Sequence, residues 1–223
     1  MYVTNTLARP DPISMNTAAA PQQQQIAREI KQGAHLFRQG DEAHRIYKVL
    51  SGVLRLSRIN ENGRRQIISF GYAGDIVGFP SRNEHGTDCD ALTDALVVSY
   101  QRKTLEHCDA NPELHRQLMR AALGEISDMQ DHFMMLGQKS ASEKVASLLC
   151  VLTDRVGEPL GHFTQITLPM SRADIADFLG LTTETVSRSL TQLRKCKIIA
   201  IDKIHSVIIL KPSALLTIAQ GDD

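Results

Sequence analysis

No charge of one sign dominates this sequence: 25 lysines and arginines offset 25 aspartates and glutamates, giving a formal net charge of zero. A bulk electrostatic case for nucleic-acid binding is therefore excluded, and any such case must rest on local clustering. No apolar run approaches membrane-spanning length. The opening MYVTNTLARPDPIS lacks the charged start and apolar core of a secretory signal. No membrane partner is expected, and the expected location is the cytoplasm. The cysteines, Cys89, Cys108, Cys150 and Cys196, are scattered with no C-x-x-C, which reads as reduced thiols. The histidines at 35, 44, 85, 107, 115, 132, 162 and 205 lack metal-ligand spacing such as H-E-x-x-H. They read as surface or packing residues, with no metal site and no catalytic residue.

What is present fits a globular chain. The 223 residues are 42% hydrophobic and 22% charged, enough for one large domain or two modest ones. Residues 1–24 are polar, with Pro10, Pro12 and Pro21, and read as a flexible tail. Over 25–110, short apolar stretches (IYKVL, VLRLSRI, RQIISF, DALVVSY) alternate with turn signals, among them Gly40-Asp41, Asn62-Gly63 and Gly74-Asp75. Asn-Gly between alternating stretches predicts a hairpin, because both residues tolerate positive φ. The spacing predicts a small antiparallel roll.

Over 111–138 the rhythm turns helical. Leu118, Ala122, Met129 and Leu136 fall on one stripe, whose remaining positions hold Glu125 and His132, while Met119, Ile126 and Phe133 recur every seven residues on an adjoining stripe. A helix with two apolar faces needs two partners. One is its own roll and the other a second copy, so Leu118, Ala122, Met129 and Leu136 are the expected dimerisation residues. A helix buried within a monomer is the alternative. Residues 138–142 read as a polar hinge. Over 139–223 the order is a helix (142–156), a short strand (166–168), two helices, and two β-stretches (198–201, 207–210): a winged helix-turn-helix.

Its central segment is SRADIADFLGLTTETVSRSLTQLRK. Ser171 caps the first helix with Asp174 three residues on. Small Ala176, turn-forming Gly180 and β-branched Val186 stand at the offsets a helix-turn-helix requires. Thr182 caps the second helix. Its exposed face carries Thr183, Glu184, Ser187, Arg188 and Thr191, which would face the major groove. Arg188 can contact guanine O6 and N7 together, and Glu184 can accept from cytosine N4; a plain surface ion pair is the bland alternative. Between 182 and 211 the positive residues Arg188, Arg194, Lys195, Lys197, Lys203 and Lys211 face only Glu184 and Asp202. The neutral total thus conceals a basic end suited to phosphates. Thr182, Thr183, Thr191, Arg194, Lys195 and Lys203 are the expected phosphate and secondary contacts. Cys196, flanked by Lys195 and Lys197, is a possible redox switch.

These motifs, above all LPMSRADIADFLGLTTETVSRSL and GDIVGF, resemble the CRP/FNR family of bacterial transcription regulators over about 33–210. The resemblance implies an α+β architecture: an N-terminal antiparallel β-roll of the cyclic-nucleotide-binding type, a long dimerisation helix and a C-terminal winged helix-turn-helix. It implies a homodimeric activator that binds double-stranded DNA and contacts RNA polymerase, and no enzyme. The E-T-V-S-R string at 184–188 is similar to the FNR and FixK-like branch. That likeness implies base contacts from Glu184, Ser187 and Arg188 on a TTGAT-type inverted repeat, and Thr183 in place of an Arg favours this site over the cAMP-receptor operator. The cAMP-binding pattern of Gly-Glu followed by Arg-Ser is absent from GFPSRNEHGTDCDA. FNR-type iron–sulfur ligation needs an N-terminal cysteine cluster plus an internal cysteine. Residues 1–88 hold no cysteine, and the internal position is held by Ser99. No cofactor is expected. One axial histidine would suffice for haem, so a haem- or small-ligand-responsive member is the alternative, followed by a regulatory module whose helix-turn-helix serves protein contacts.

Overall fold

A computed structural model describes residues 27–80, 82–106, 111–203 and 205–221. The tail assigned to 1–24, and Cys108, lie outside the described residues. The chain forms two compact units, one ending at Asp131 and the other starting at His132.

In the first unit, eight strands build two antiparallel sheets. They are β1 (Ala27–Ile30), β2 (His35–Phe37), β3 (Arg45–Ser51), β4 (Leu54–Ile59), β5 (Arg65–Gly71), β6 (Ile76–Val77), β7 (Asp88–Ala91) and β8 (Ala95–Gln101), in the orders β1-β8-β3-β6 and β2-β7-β4-β5. Small and branched aliphatic residues meet across the ladders on the inner faces: Ile30 with Ala95, Val49 with Val97, Leu54 with Ala91 and Leu56 with Cys89. All eight are buried in one cluster. Each buried Val, Leu or Ile contributes roughly 1.5–3 kcal/mol.

The hairpin read from Asn62-Gly63 joins β4 to β5. Asn60 and Arg64 close a loop in which Gly63 alone takes positive φ, at 72°. The Asn60 side chain accepts from the backbone N–H groups of Asn62 and Arg64. This is a type I turn ending in a left-handed residue, and it needs glycine at one position, not two.

Short α1 (Lys103–Glu106) and long α2 (Pro112–Gln138) follow. Leu118 of α2 is 0% exposed. It belongs to the buried side of the protomer and is corrected from its assignment to a dimer surface. The open apolar side of α2 carries Met119, Leu123, Ile126, Met129, Phe133 and Met134 instead; Ala122 is half-buried.

The second unit holds the end of α2, then α3 (Ala141–Val156), β9 (Gly157–Leu160), β10 (Phe163–Thr167), α4 (Arg172–Leu179), α5 (Thr183–Lys195), β11 (Ile199–Lys203), β12 (Ser206–Ile209) and α6 (Pro212–Gln220). The strands form one antiparallel sheet, β11-β12-β10-β9. The stretch read as a hinge is an anchored joint. Ser140 caps α3 in a reciprocal box with Glu143. Lys139 Nζ donates to Ser147 Oγ and the Ala219 carbonyl, each at 2.7 Å. Val145, Leu149, Leu152, Ile166, Leu179 and Leu215 are among the buried side chains on which the helices and sheet close.

Candidate nucleic-acid interface

Local chemistry sets the start and stop of both helices in the helix-turn-helix. At the head of α4, Asp174 N–H donates to Ser171 Oγ at 3.1 Å, and Ser171 N–H donates back to Asp174 Oδ2 at 3.0 Å. Two of the helix's orphan donors are satisfied in this exchange. At its end, Gly180 adopts φ 63° and ψ 38°, a conformation that costs a residue with a Cβ roughly 1–2 kcal/mol. The Ala176 carbonyl receives the N–H of Leu181 at 3.0 Å. Three residues beyond the glycine, α5 begins, with Thr182 Oγ1 accepting from Thr185 N–H at 3.1 Å. Ala176 and Val186 are buried, as are Leu190 and Leu193 along the inner side of α5. With these fixed, the opposite side of α5 faces outward.

That side brings the expected reading residues together. Thr183, Glu184, Ser187 and Arg188 are exposed and Thr191 is half-buried. Glu184, Ser187, Arg188 and Thr191 line a shallow surface groove with Gln192 and Lys195. Arg188 Nη2 donates to Glu184 Oε1. Ser187 Oγ donates to the Thr183 carbonyl at 2.9 Å and Thr191 Oγ1 to the Ser187 carbonyl at 2.8 Å. Both hydroxyls keep lone pairs for an incoming donor. Gln192 was not singled out from the sequence, although it stands one turn beyond Arg188 and its spacing marks it.

Thr182, Arg194 and Lys195 are exposed at the two ends of α5, and Lys203 is exposed at the end of β11. Cys196 is the C-cap of α5; it is exposed, and its Sγ accepts from Gln192 Nε2 at 3.6 Å.

The four residues assigned to dimerisation do not share one surface. Met129 is exposed, Ala122 is half-buried and Leu118 is buried. Leu136 lies against the turn glycine: a Cβ placed on Gly180 would meet Leu136 Cδ2 at 3.6 Å. Leu136 is half-buried and packs within the winged-helix unit. Among the described residues no helix is long and apolar enough to cross a membrane, and no three His, Cys, Asp or Glu side chains could hold a metal ion together.

Comparison with known proteins gives this geometry a lineage. Residues 27–110 match the cyclic nucleotide-binding domain family and residues 143–218 the Crp-like helix-turn-helix domain family. The nitrogen fixation regulation protein FixK of Rhizobium meliloti is 36% identical over 185 residues, covering 83% of this chain and 83% of that protein. The FixK protein of Bradyrhizobium diazoefficiens is 35% identical over 210 residues, covering 92% of this chain and 88% of its own. The structure of FixK2 from Bradyrhizobium japonicum matches with a TM-score of 0.78 at 30% identity, covering 86% of this chain and 96% of that one. With a cyclic-nucleotide-type roll and a Crp-type helix-turn-helix on one polypeptide, and this identity along most of its length, the chain belongs to the CRP/FNR family of DNA-binding transcription regulators, in its FixK-like branch.

Proposed function

We propose that the protein is a cytoplasmic homodimeric activator that binds a TTGAT-type inverted repeat and contacts RNA polymerase beside it. The observation that carries this reading is the outward pair of Glu184 and Arg188 at the front of a doubly capped helix-turn-helix. Arg188 reads a guanine edge, Glu184 accepts from a cytosine amino group, and Ser187 assists. Thr182, Thr183, Thr191, Arg194, Lys195 and Lys203 contact phosphates, which set register without reading sequence. Two copies pair through the open apolar side of α2, where Met129 lies. Their α5 helices then enter successive major grooves about 34 Å apart.

Neither cofactor of the wider family fits the residues present. A cyclic phosphate would need an arginine turned into the roll, and Arg82 is exposed on a left-handed turn. Inside the roll, His85 is stacked on Phe37 with ring centroids 3.8 Å apart, so packed rings fill the space behind Gly78. An iron–sulfur cluster needs thiolates. Cys89 is wholly buried in the roll core, and the Ser99 hydroxyl accepts from Arg45 Nη1 at 2.8 Å. The reading therefore assigns activity to protein abundance or to another signal, a haem or small ligand among them.

The test is binding of a labelled TTGAT inverted-repeat duplex and of a scrambled duplex across a salt series. Expected is a preference for the repeat of at least about a thousandfold with a steep salt slope for both duplexes. Equal affinity for the two duplexes would overturn the reading.

A further inference from the structure

Three residues at the end of α2 grip the winged helix from one side. Lys139 bonds to Ser147 on α3 and to the end of α6, as described above. Leu136 covers the turn glycine. His132, one turn before Leu136, stacks its imidazole on Phe178 of α4, with ring centroids 4.2 Å apart and planes inclined by 20°. The Phe178 backbone also lies close enough to favour the ring's charged form. Nε2 is buried without a hydrogen-bond partner in the described structure.

Phe178 is the penultimate residue of α4. The last four carbonyls of a helix lack partners inside it and carry the negative end of its dipole. The Ala176 carbonyl is taken by the turn that follows; the Phe178 side chain is covered by an imidazole from another helix. That contact stands two residues before Gly180, the residue that sets the angle between α4 and α5.

We propose that His132 is a positioning residue for DNA reading: in its neutral form, stacked on Phe178, it fastens the end of α2 to the end of α4 and so holds the direction in which α5 presents Glu184 and Arg188. The proposal rests on α5 being the reading helix. Protonation would leave an N–H at Nε2, which is buried and has no acceptor there. Burial holds the imidazole below the usual histidine range; the Phe178 backbone pulls the other way, and Lys144 on α3 adds to the lowering. The fastened form is complete above about pH 6.5 and is lost as the pH falls through the lower folded value.

The test compares the full-length wild type with His132→Leu, which removes the stacked ring, and His132→Phe, which keeps an aromatic ring there but takes no proton. Hydrogen exchange is followed in peptides covering 172–182, and binding to the inverted-repeat duplex is measured at pH 7.5 and 5.5. His132→Leu is expected to exchange about tenfold faster in that segment and to bind about tenfold more weakly. His132→Phe is expected to match the wild type at pH 7.5 and to escape the extra weakening that the wild type shows at pH 5.5. Unchanged exchange in His132→Leu, or identical pH profiles for His132→Phe and wild type, would overturn the proposal. If His132→Leu does not fold, the comparison with His132→Phe decides. Exchange needs no DNA, so a wrong operator shows itself separately, as altered exchange without repeat binding by any of the three proteins.

Discussion

Arg188 and Glu184 are bonded at 2.5 Å across one turn of α5, yet 77% and 71% of their side-chain surfaces remain open to solvent. An exposed pair of this kind stabilises a helix by only about 0.2–0.5 kcal/mol. A two-pronged arginine–guanine contact discriminates by roughly 1–3 kcal/mol. On the proposed reading the base contact is the stronger of the two, and the ion pair would keep the guanidinium extended until a base edge replaces it.

Arg188→Ala is accordingly expected to lose about 1–3 kcal/mol of preference at one guanine of the half-site while leaving thermal stability within roughly 0.5 kcal/mol. Binding to duplexes substituted at each position measures the first and thermal melting the second. An equal loss on specific and scrambled DNA would contradict base reading.

The caps of the helix-turn-helix were legible because they obey local rules. Ser171 with Asp174, Gly180 and Thr182 announce their roles within four residues, and the structure has each of them. The faces of α2 were less legible. Seven-residue spacing tells which side chains share a stripe, and not which stripe the protomer covers for itself. Leu118 and Met119 differ by one step around the helix, and one is buried while the other is open. Leu136 owes its position to Gly180, 44 residues later, which no local pattern encodes. Polarity at 138–142 suggested a hinge, but Lys139 and Ser140 are polar because they bond. β9 escaped notice because Gly157 and Pro159 are poor strand formers that pair only where β10 offers an edge. The signals for α6, Pro212 at its start and Gly221 just past its end, were present and were passed over.

The two sides of α2 should answer differently to mutation. Met129→Glu places a charge on the open apolar side and is expected to halve the mass in light scattering while leaving the melting temperature of the protomer nearly unchanged. Leu118→Ala empties a buried position and is expected to cost about 2–5 kcal/mol of stability in denaturant titration. Retention of the dimer mass in Met129→Glu would remove α2 from the interface.

Glu125 of α2 gives stability a pH dependence. Burial, then the fields of Asp128 and Asp75, push its carboxyl up to about 7. The folded state therefore keeps a proton that the unfolded chain, with a carboxyl near 4.3, has already released. Between those values the folded state binds more protons, so stability falls as the pH rises. A loss on the order of 2 kcal/mol between about pH 5 and 8 is expected in denaturant titrations. Glu125→Gln, which cannot ionise, should flatten the profile. A wild-type curve that rises over this window, or one that Glu125→Gln leaves unaltered, would contradict the assignment.

The cysteines should react in the order of their exposure. Cys196 is open at the end of α5, Cys150 is half-buried with its thiol pushed up to about 11 by burial, and Cys89 is fully buried with its thiol pushed higher still. The thiolate is the reacting form, so a maleimide should modify Cys196 first, Cys150 slowly and Cys89 only on unfolding, as peptide mapping by mass spectrometry would show. Because Cys196 directly follows Lys195 on the DNA-facing helix, a bulky adduct there should block access to the backbone phosphates and weaken binding on specific and scrambled duplexes alike. Cys196→Ser should make DNA binding indifferent to the reagent. If peroxide acts on this protein through the same thiol, the substitution should also remove peroxide sensitivity, since serine cannot form a sulfenic acid. Persistent peroxide sensitivity in Cys196→Ser would show that Cys196 is exposed without being a switch, and early labelling of Cys89 in the native protein would contradict the packing of the roll itself.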